Sequence, residues 1–169
     1  MNLNNIDCIP SGISIIIDTN IVIYAVLAHP VFGQLCRKFL KRIEAGEIIG
    51  YLPTVVMNEV VHKFVISELI ERKVGNNTTE VLHRMKNNPE IIRTLQKTWI
   101  DIEYLYRINC LIVSEKPDTF KESLFFIKEH QLMAKDAYIV AFAQSYNLSH
   151  IASNDRDFRR IPWLSVWHP

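Results

Sequence analysis

Apolar residues along this chain follow two rhythms, and the switches between them mark out its elements. Ser14–Ile17 carries three consecutive isoleucines, the pattern of a strand buried on both faces. Pro30–Ala45 then places Val31, Leu35, Phe39, Leu40 and Ile43 at helical spacing and ends near Gly46. Ile48–Leu52 returns to the strand pattern and is closed by Pro53. Thr54 is placed as the N-cap of a helix running to about Arg72, with Val56, Val60 and Phe64 along one face. Gly75-Asn76-Asn77 breaks it. Two more helical stretches are expected between Thr78 and Ile108, divided near Asn87-Asn88-Pro89. Cys110–Val113 reads as a third strand, Thr119–His130 and Lys135–Tyr146 as helices, His150–Ala152 and Leu164–Val166 as two last short strands. Strands alternating with helices predict an α/β fold with a mostly parallel sheet covered on both faces.

Composition narrows the class. A chain of 169 residues with 49% hydrophobic content suits one domain with a sizeable core. The formal net charge of +1 argues against a strongly basic nucleic-acid coat, but leaves room for a local basic rim. Cys8, Cys36 and Cys110 are scattered and form no C-x-x-C pair, so neither a disulfide framework nor a zinc knuckle is expected. That usage suits a reducing cytoplasm. Met1–Gly12 is polar and lacks a basic cluster, unlike a signal peptide. No apolar run approaches the roughly 20 residues that span a bilayer, so no membrane partner is expected.

The acids change the picture. Asp18 follows the first strand directly, and in open α/β sheets ligand chemistry collects at the carboxyl ends of strands. For Asp18 alone, capping the next helix is an equal alternative. Asp155 follows the His150–Ala152 strand, and Asp136 opens the helix leading into it, whose N-terminus lies over the same edge. Glu59 lies about 8 Å along the helix that leaves the second strand, on the side of Val56 and Val60. Four carboxylates from distant segments therefore project to one sheet edge. Like charges in a partly buried cleft repel and raise one another's pKa. A hard divalent cation offsets this, and carboxylate oxygens suit Mg²⁺ or Mn²⁺.

At these residues the chain resembles the PIN-domain family of metal-dependent ribonucleases that includes the VapC-type toxins. The resemblance rests on Ile16-Ile17-Asp18-Thr19-Asn20, Asn58-Glu59-Val60, Lys135-Asp136-Ala137-Tyr138 and Ser153-Asn154-Asp155-Arg156-Asp157-Phe158, in order and after predicted strands. It implies a three-layer α/β/α sandwich with strand order 3-2-1-4-5, spread over 1–169 as a single domain. The helical region of about 72–108 is extended relative to the shorter toxins. It also implies cleavage of single-stranded RNA, dimerisation and, for toxin members, a cognate antitoxin that blocks the site. Asp18, Glu59, Asp136 and Asp155 match the family's acidic quartet. Asp157 is the alternative final acid, or else closes the loop over a packed Phe158. Thr19, Asn20 and Ser153 are candidates to orient a carboxylate or a metal-bound water.

RNA phosphodiester hydrolysis needs an activated water and a means of holding developing charge, and metal ions serve both ends. Asp18 and Asp136 are expected as principal ligands, with Asp155 and Glu59 as ligands or water positioners. Lys135, Arg156, Arg159 and Arg160 flank the acids and are candidates for phosphate contact. His62 is assigned a structural role, and Trp99, Trp163 and Trp167 are assigned to the core. Two other classes compete. A haloacid-dehalogenase-like phosphatase would place a second acid two residues after the first, where this chain has Asn20. A non-catalytic PIN-like scaffold would have lost acids that are all present here.

Overall fold

The computed structural model describes residues 4–169, so Met1–Leu3 of the polar N-terminus lie outside the described residues. Among these residues six strands, β1 (Asn4–Asn5), β2 (Ser14–Ile17), β3 (Ile49–Pro53), β4 (Leu111–Val113), β5 (His150–Ala152) and β6 (Ser165–His168), form one sheet. Every pairing is parallel, in the order β1-β6-β5-β2-β3-β4. The expected five-strand order needs correcting by one edge strand. β1 pairs Asn4 with Trp167 and Asn5 with His168. Two asparagines carry no β-prone apolar pattern, which is why the sequence did not announce them.

Among the described residues seven α-helices connect the strands: α1 (Thr19–Val26), α2 (Gly33–Glu44), α3 (Thr54–Glu71), α4 (Thr78–Asn87), α5 (Lys97–Arg107), α6 (Thr119–His130) and α7 (Ala134–Ser145). α1 packs on α2 and α3, and α3 on α4 and α5, while α6 and α7 pack on each other. The chain crosses from β2 to β3 to β4 in one direction and returns to β5 in the other. Right-handed crossovers therefore put α1–α5 on one face of the sheet and α6–α7 on the opposite face. Among the described residues no helix is long and apolar enough to cross a membrane.

The isoleucine run behaves as its pattern predicts, with Ile15, Ile16 and Ile17 fully buried in the central strand. A Cβ on neighbouring Gly50 would stand 2.9 Å from the Cδ1 atoms of Ile17 and Ile43, so glycine there lets α2 close on the sheet. α1 was not foreseen. Its Thr-Asn-Ile-Val-Ile-Tyr-Ala-Val sequence buries Thr19, Ile21, Val22 and Ala25, and its β-branched run masks the helical period. α2 begins at Gly33 rather than Pro30, because the preceding residues form a turn in which His29 Nδ1 accepts the Val31 and Phe32 amides at 3.2 Å.

α3 spans about 27 Å, longer than any strand beneath it, so its far end needs cover of its own. Val65, Ile66 and Leu69 obtain it from Val81 and Leu95, forming a second small core. Buried Glu68 ties this region to α5. It accepts the backbone amides of Gln96 (3.0 Å) and Thr98 (2.8 Å) and the Thr98 hydroxyl (2.7 Å). Burial would raise its pKa, but those donors outweigh burial and hold the carboxyl below its usual range.

Two expectations about individual residues fail. Thr54 is the first helical residue of α3 rather than its cap. The capping acceptor comes from the loop after β4, where Glu115 takes the Thr54 hydroxyl at 2.5 Å and the Val55 amide at 2.9 Å. Trp99 and Trp163 are 43% and 41% exposed, not core residues. On α5 the inward positions go to Thr98 and Leu105, which turns Trp99 outward, and Trp163 lies in the turn before β6. Trp167 does pack on the core, with its indole N–H donating to His150 Nδ1 at 3.1 Å. His62 is exposed, and among the described residues no hydrogen bond or ion pair joins it to the acids.

Candidate active site

Parallel strands bring the acids to one edge. The Asp18 amide donates to the Ala152 carbonyl at 3.0 Å, and the Ser153 amide to the Trp167 carbonyl at 2.9 Å, so the ladder continues past the ends of β2 and β5. These bonds set the loop Ser153-Asn154-Asp155 beside Asp18. Glu59 arrives from α3 and Asp136 from the first turn of α7.

Asp18 is only 3% exposed and is held by donors on both oxygens. Oδ1 accepts the Thr19 amide at 2.7 Å. Oδ2 accepts the Ser153 hydroxyl at 2.6 Å and the Asn20 side-chain amide at 2.5 Å. Capping and site-building were alternatives for this residue in the sequence, and here one carboxylate serves both, since Asp18 also sits at the N-cap of α1. Burial pushes its pKa above the ordinary carboxylate value, against the pull of Lys135 and the Ser153 hydroxyl.

Ser153 and Asn20 form the junction of this network. The fully buried Ser153 hydroxyl donates to Asp18 and accepts the Asn20 amide (3.1 Å) and the Asp155 backbone N–H (3.0 Å). Asn20 Oδ1 accepts the Asn154 backbone N–H at 3.0 Å. Asp155 is therefore placed relative to Asp18 by a chain of side-chain bonds. Its Oδ1 accepts the Asp157 amide at 2.9 Å, and Asp157 itself pairs with Arg160 at 2.9 Å. Phe158 is fully buried beneath this turn.

Glu59 and Lys135 form the other half. Glu59 Oε2 accepts the Thr19 hydroxyl at 2.6 Å and the Lys135 ammonium at 2.5 Å, and Lys135 Nζ also lies 3.7 Å from Asp18 Oδ1. Burial alone would raise the Glu59 pKa, but hydrogen bonds from Lys135 and Thr19 hold it down. Asp136 differs sharply. Burial first, and then the charges of Asp155, Asp18 and Asp157, push its carboxyl up to about 6, with Lys135 opposing.

Of the expected phosphate contacts, Lys135 is turned into the acids and Arg160 is tied to Asp157 and to the Gln131 carbonyl at 2.7 Å. Arg159 is exposed, and so is Arg156, which lines an open cleft of ≈ 430 Å³ with Asn20, Tyr24, Asn154 and Asp155. Tyr24 and Asn154 were missed in the sequence because Tyr24 lies on the unforeseen α1. Their link, Asn154 Nδ2 to the Tyr24 hydroxyl at 3.3 Å, had no sequence signal.

Among the described residues no three His, Cys, Asp or Glu side chains are drawn together as a finished metal shell. The donor chemistry nevertheless fits a hard divalent ion. The set is all carboxylate oxygen, and the charges of Asp155, Asp18 and Asp157, which add to burial in raising Asp136, are a repulsion that such an ion relieves.

Residues 15–164 match the model of the PIN domain. The chain belongs to the PIN-domain family. Over 154 residues it is 25% identical to ribonuclease VapC2 of Methanocaldococcus jannaschii, covering 90% of this chain and 91% of that one. Two solved structures share the PIN architecture. VapBC2 from Rickettsia felis, bound to a promoter DNA fragment, superposes with a TM-score of 0.59 at 15% identity, covering 92% of this chain and 98% of that one. A toxin–antitoxin complex from Klebsiella pneumoniae gives 0.53 at 18% identity, covering 89% and 94%. At those identities the structures establish the fold, an all-parallel sheet flanked by helices.

Proposed function

We propose that this PIN-domain protein is a divalent-metal-dependent endoribonuclease, the VapC-type toxin of a toxin–antitoxin pair, acting on single-stranded RNA in the cytoplasm. The observation that carries the reading is the gathering of Asp18, Glu59, Asp136 and Asp155 at the carboxyl edge of a PIN sheet, with Asp136 raised by burial first and then by the charges of Asp155, Asp18 and Asp157. Likeness to a VapC ribonuclease over nine-tenths of both chains supports the substrate class. The domain is read as one PIN-like unit over 1–169, with about 72–108 as an extended helical region.

Asp18, Asp136 and Asp155 would hold Mg²⁺ or Mn²⁺, with Glu59 as a further ligand or water positioner. Bound there, such an ion would lower the pKa of a water and stabilise charge on the phosphate. Ser153 and Asn20 keep the Asp18 carboxylate in one orientation and fix Asp155 beside it. Thr19 does the same for Glu59. Arg156, which lines the cleft, and the exposed Arg159 would meet phosphates and offset the repulsion between the acids and RNA. A cognate antitoxin would block this edge and a second copy of the chain would complete a homodimer, as the resemblance implies.

The test is incubation of purified protein with structured and single-stranded RNAs in Mg²⁺, Mn²⁺ or EDTA, beside Asp18→Asn. Metal-dependent cleavage that the substitution abolishes is expected. Cleavage that persists in EDTA or in the variant would overturn the mechanism.

A further inference from the structure

The two halves of the acid cluster are neutralised differently. On one side the Lys135 ammonium sits on two carboxylates from different elements, 2.5 Å from Glu59 Oε2 and 3.7 Å from Asp18 Oδ1. It is not a loose surface lysine. Its side chain is 36% exposed, and the Glu59 oxygen that it touches is fixed by the Thr19 hydroxyl at 2.6 Å. On the other side, no lysine or arginine among the described residues forms an ion pair with Asp136 or Asp155.

We propose that Lys135 is a tethered cation that neutralises the Glu59–Asp18 side of the cluster, so that each chain takes a single divalent ion on the Asp136–Asp155 side. The inference rests on the metal-dependent reading above and deepens it by fixing how many ions the site accepts. The geometry favours this over an ordinary ion pair. A surface pair contributes little, whereas this ammonium takes up an oxygen of one carboxylate of the acidic quartet and stands 3.7 Å from a second. Because Lys135 precedes Asp136 on the same turn of α7, one backbone segment delivers both the internal cation and a ligand for the external one. Glu59 on this view anchors Lys135 and positions water, rather than binding the ion.

The experiment is Mn²⁺ titration of the full chain, followed by calorimetry and by the electron paramagnetic resonance of free Mn²⁺, for wild type, Lys135→Met and Lys135→Arg. RNA cleavage is assayed in parallel. One Mn²⁺ per chain is expected for wild type and Lys135→Arg, and two for Lys135→Met. The melting temperature of Lys135→Met in EDTA should fall and be restored by Mn²⁺, a response that a purely structural ion pair would not give. Two ions in wild type would overturn the proposal, as would an unchanged single ion in Lys135→Met. A single ion bound more tightly in Lys135→Met would mean competition for one position and would also overturn it. If Lys135→Met does not fold, Lys135→Gln takes its place, with the same two ions expected and the same single ion overturning the proposal. Absence of any Mn²⁺ binding by wild type, with no metal-dependent cleavage, would instead remove the metal-dependent reading itself, and this proposal with it.

Discussion

Replacing Asp136 by asparagine should stabilise the metal-free protein while destroying its activity. Asp136 is pushed from the ordinary 3.8 up to about 6, by burial and by the charges of Asp155, Asp18 and Asp157. A shift of that size corresponds to about 3 kcal/mol of penalty on the ionised carboxylate, at about 1.4 kcal/mol per unit. Solvent screening in an open cleft and relaxation of the neighbours reduce the expected gain to about 1–2 kcal/mol. The side chain makes no hydrogen bond among the described residues, so the near-isosteric amide has little to lose. The sign follows from linkage. The folded pKa lies above the unfolded one, so the folded state is penalised above pH 6, less so as pH falls through about 6, and not at all below 3.8.

Denaturant melts in EDTA at pH 7.5 and pH 5 provide the assay. Asp136→Asn should be more stable than wild type at pH 7.5, and the gap should shrink at pH 5. With millimolar Mn²⁺ the order should move toward wild type, because only the intact acid set gains full binding energy from the ion. A variant no more stable than wild type at pH 7.5 in EDTA would refute the reasoning, as would a gap that does not change with pH.

Ser153→Ala removes a hydroxyl with three partners and should lower RNA-cleavage kcat about 10–100-fold, with the circular dichroism spectrum unchanged. Glu68→Gln should cost about 1.5–3 kcal/mol in urea melts at pH 7, because charge-assisted bonds to Gln96 and Thr98 are weakened. Since the Glu68 pKa is lowered on folding, that difference should be full above pH 4.5 and fade as pH falls through the lower folded value. Gly33→Ala should lower the melting temperature, because its Cβ would stand 2.9 Å from the Tyr24 carbonyl oxygen. Relief requires backbone movement costing about 1–3 kcal/mol.

What could be read from the sequence was whatever repeats locally. Buried strands such as Ser14–Ile17 and His150–Ala152, and the helix Thr119–His130, have periods that a short window contains, and all three occur at the expected residues. α1 and β1 have no such signature. α1 is apolar on nearly every side because it is sandwiched between α2 and α3, and β1 owes its existence to the free edge of β6. The tryptophans failed for a related reason. Size and hydrophobicity suggested burial, but the phase of α5 and the turn before β6 decide which way Trp99 and Trp163 face.

The candidate site was legible in its acids because strand ends are fixed by topology, and topology follows from the alternation of elements. Thr19, Asn20 and Ser153 were also legible as residues that orient a carboxylate, but which acid each one holds was not. Ser153 to Asp18, Thr19 to Glu59 and Lys135 to Glu59 bridge residues far apart in the chain, and no spacing rule encodes them. Lys135 shows the cost of reading charge without geometry. Beside an acid and near a loop it looked like a phosphate contact, yet its ammonium reaches Glu59 and Asp18. The same local residues, Lys135-Asp136, thus supply opposite charges to one cluster. The electrostatic character of the site follows from which carboxylates the lysine reaches and which it leaves unpaired.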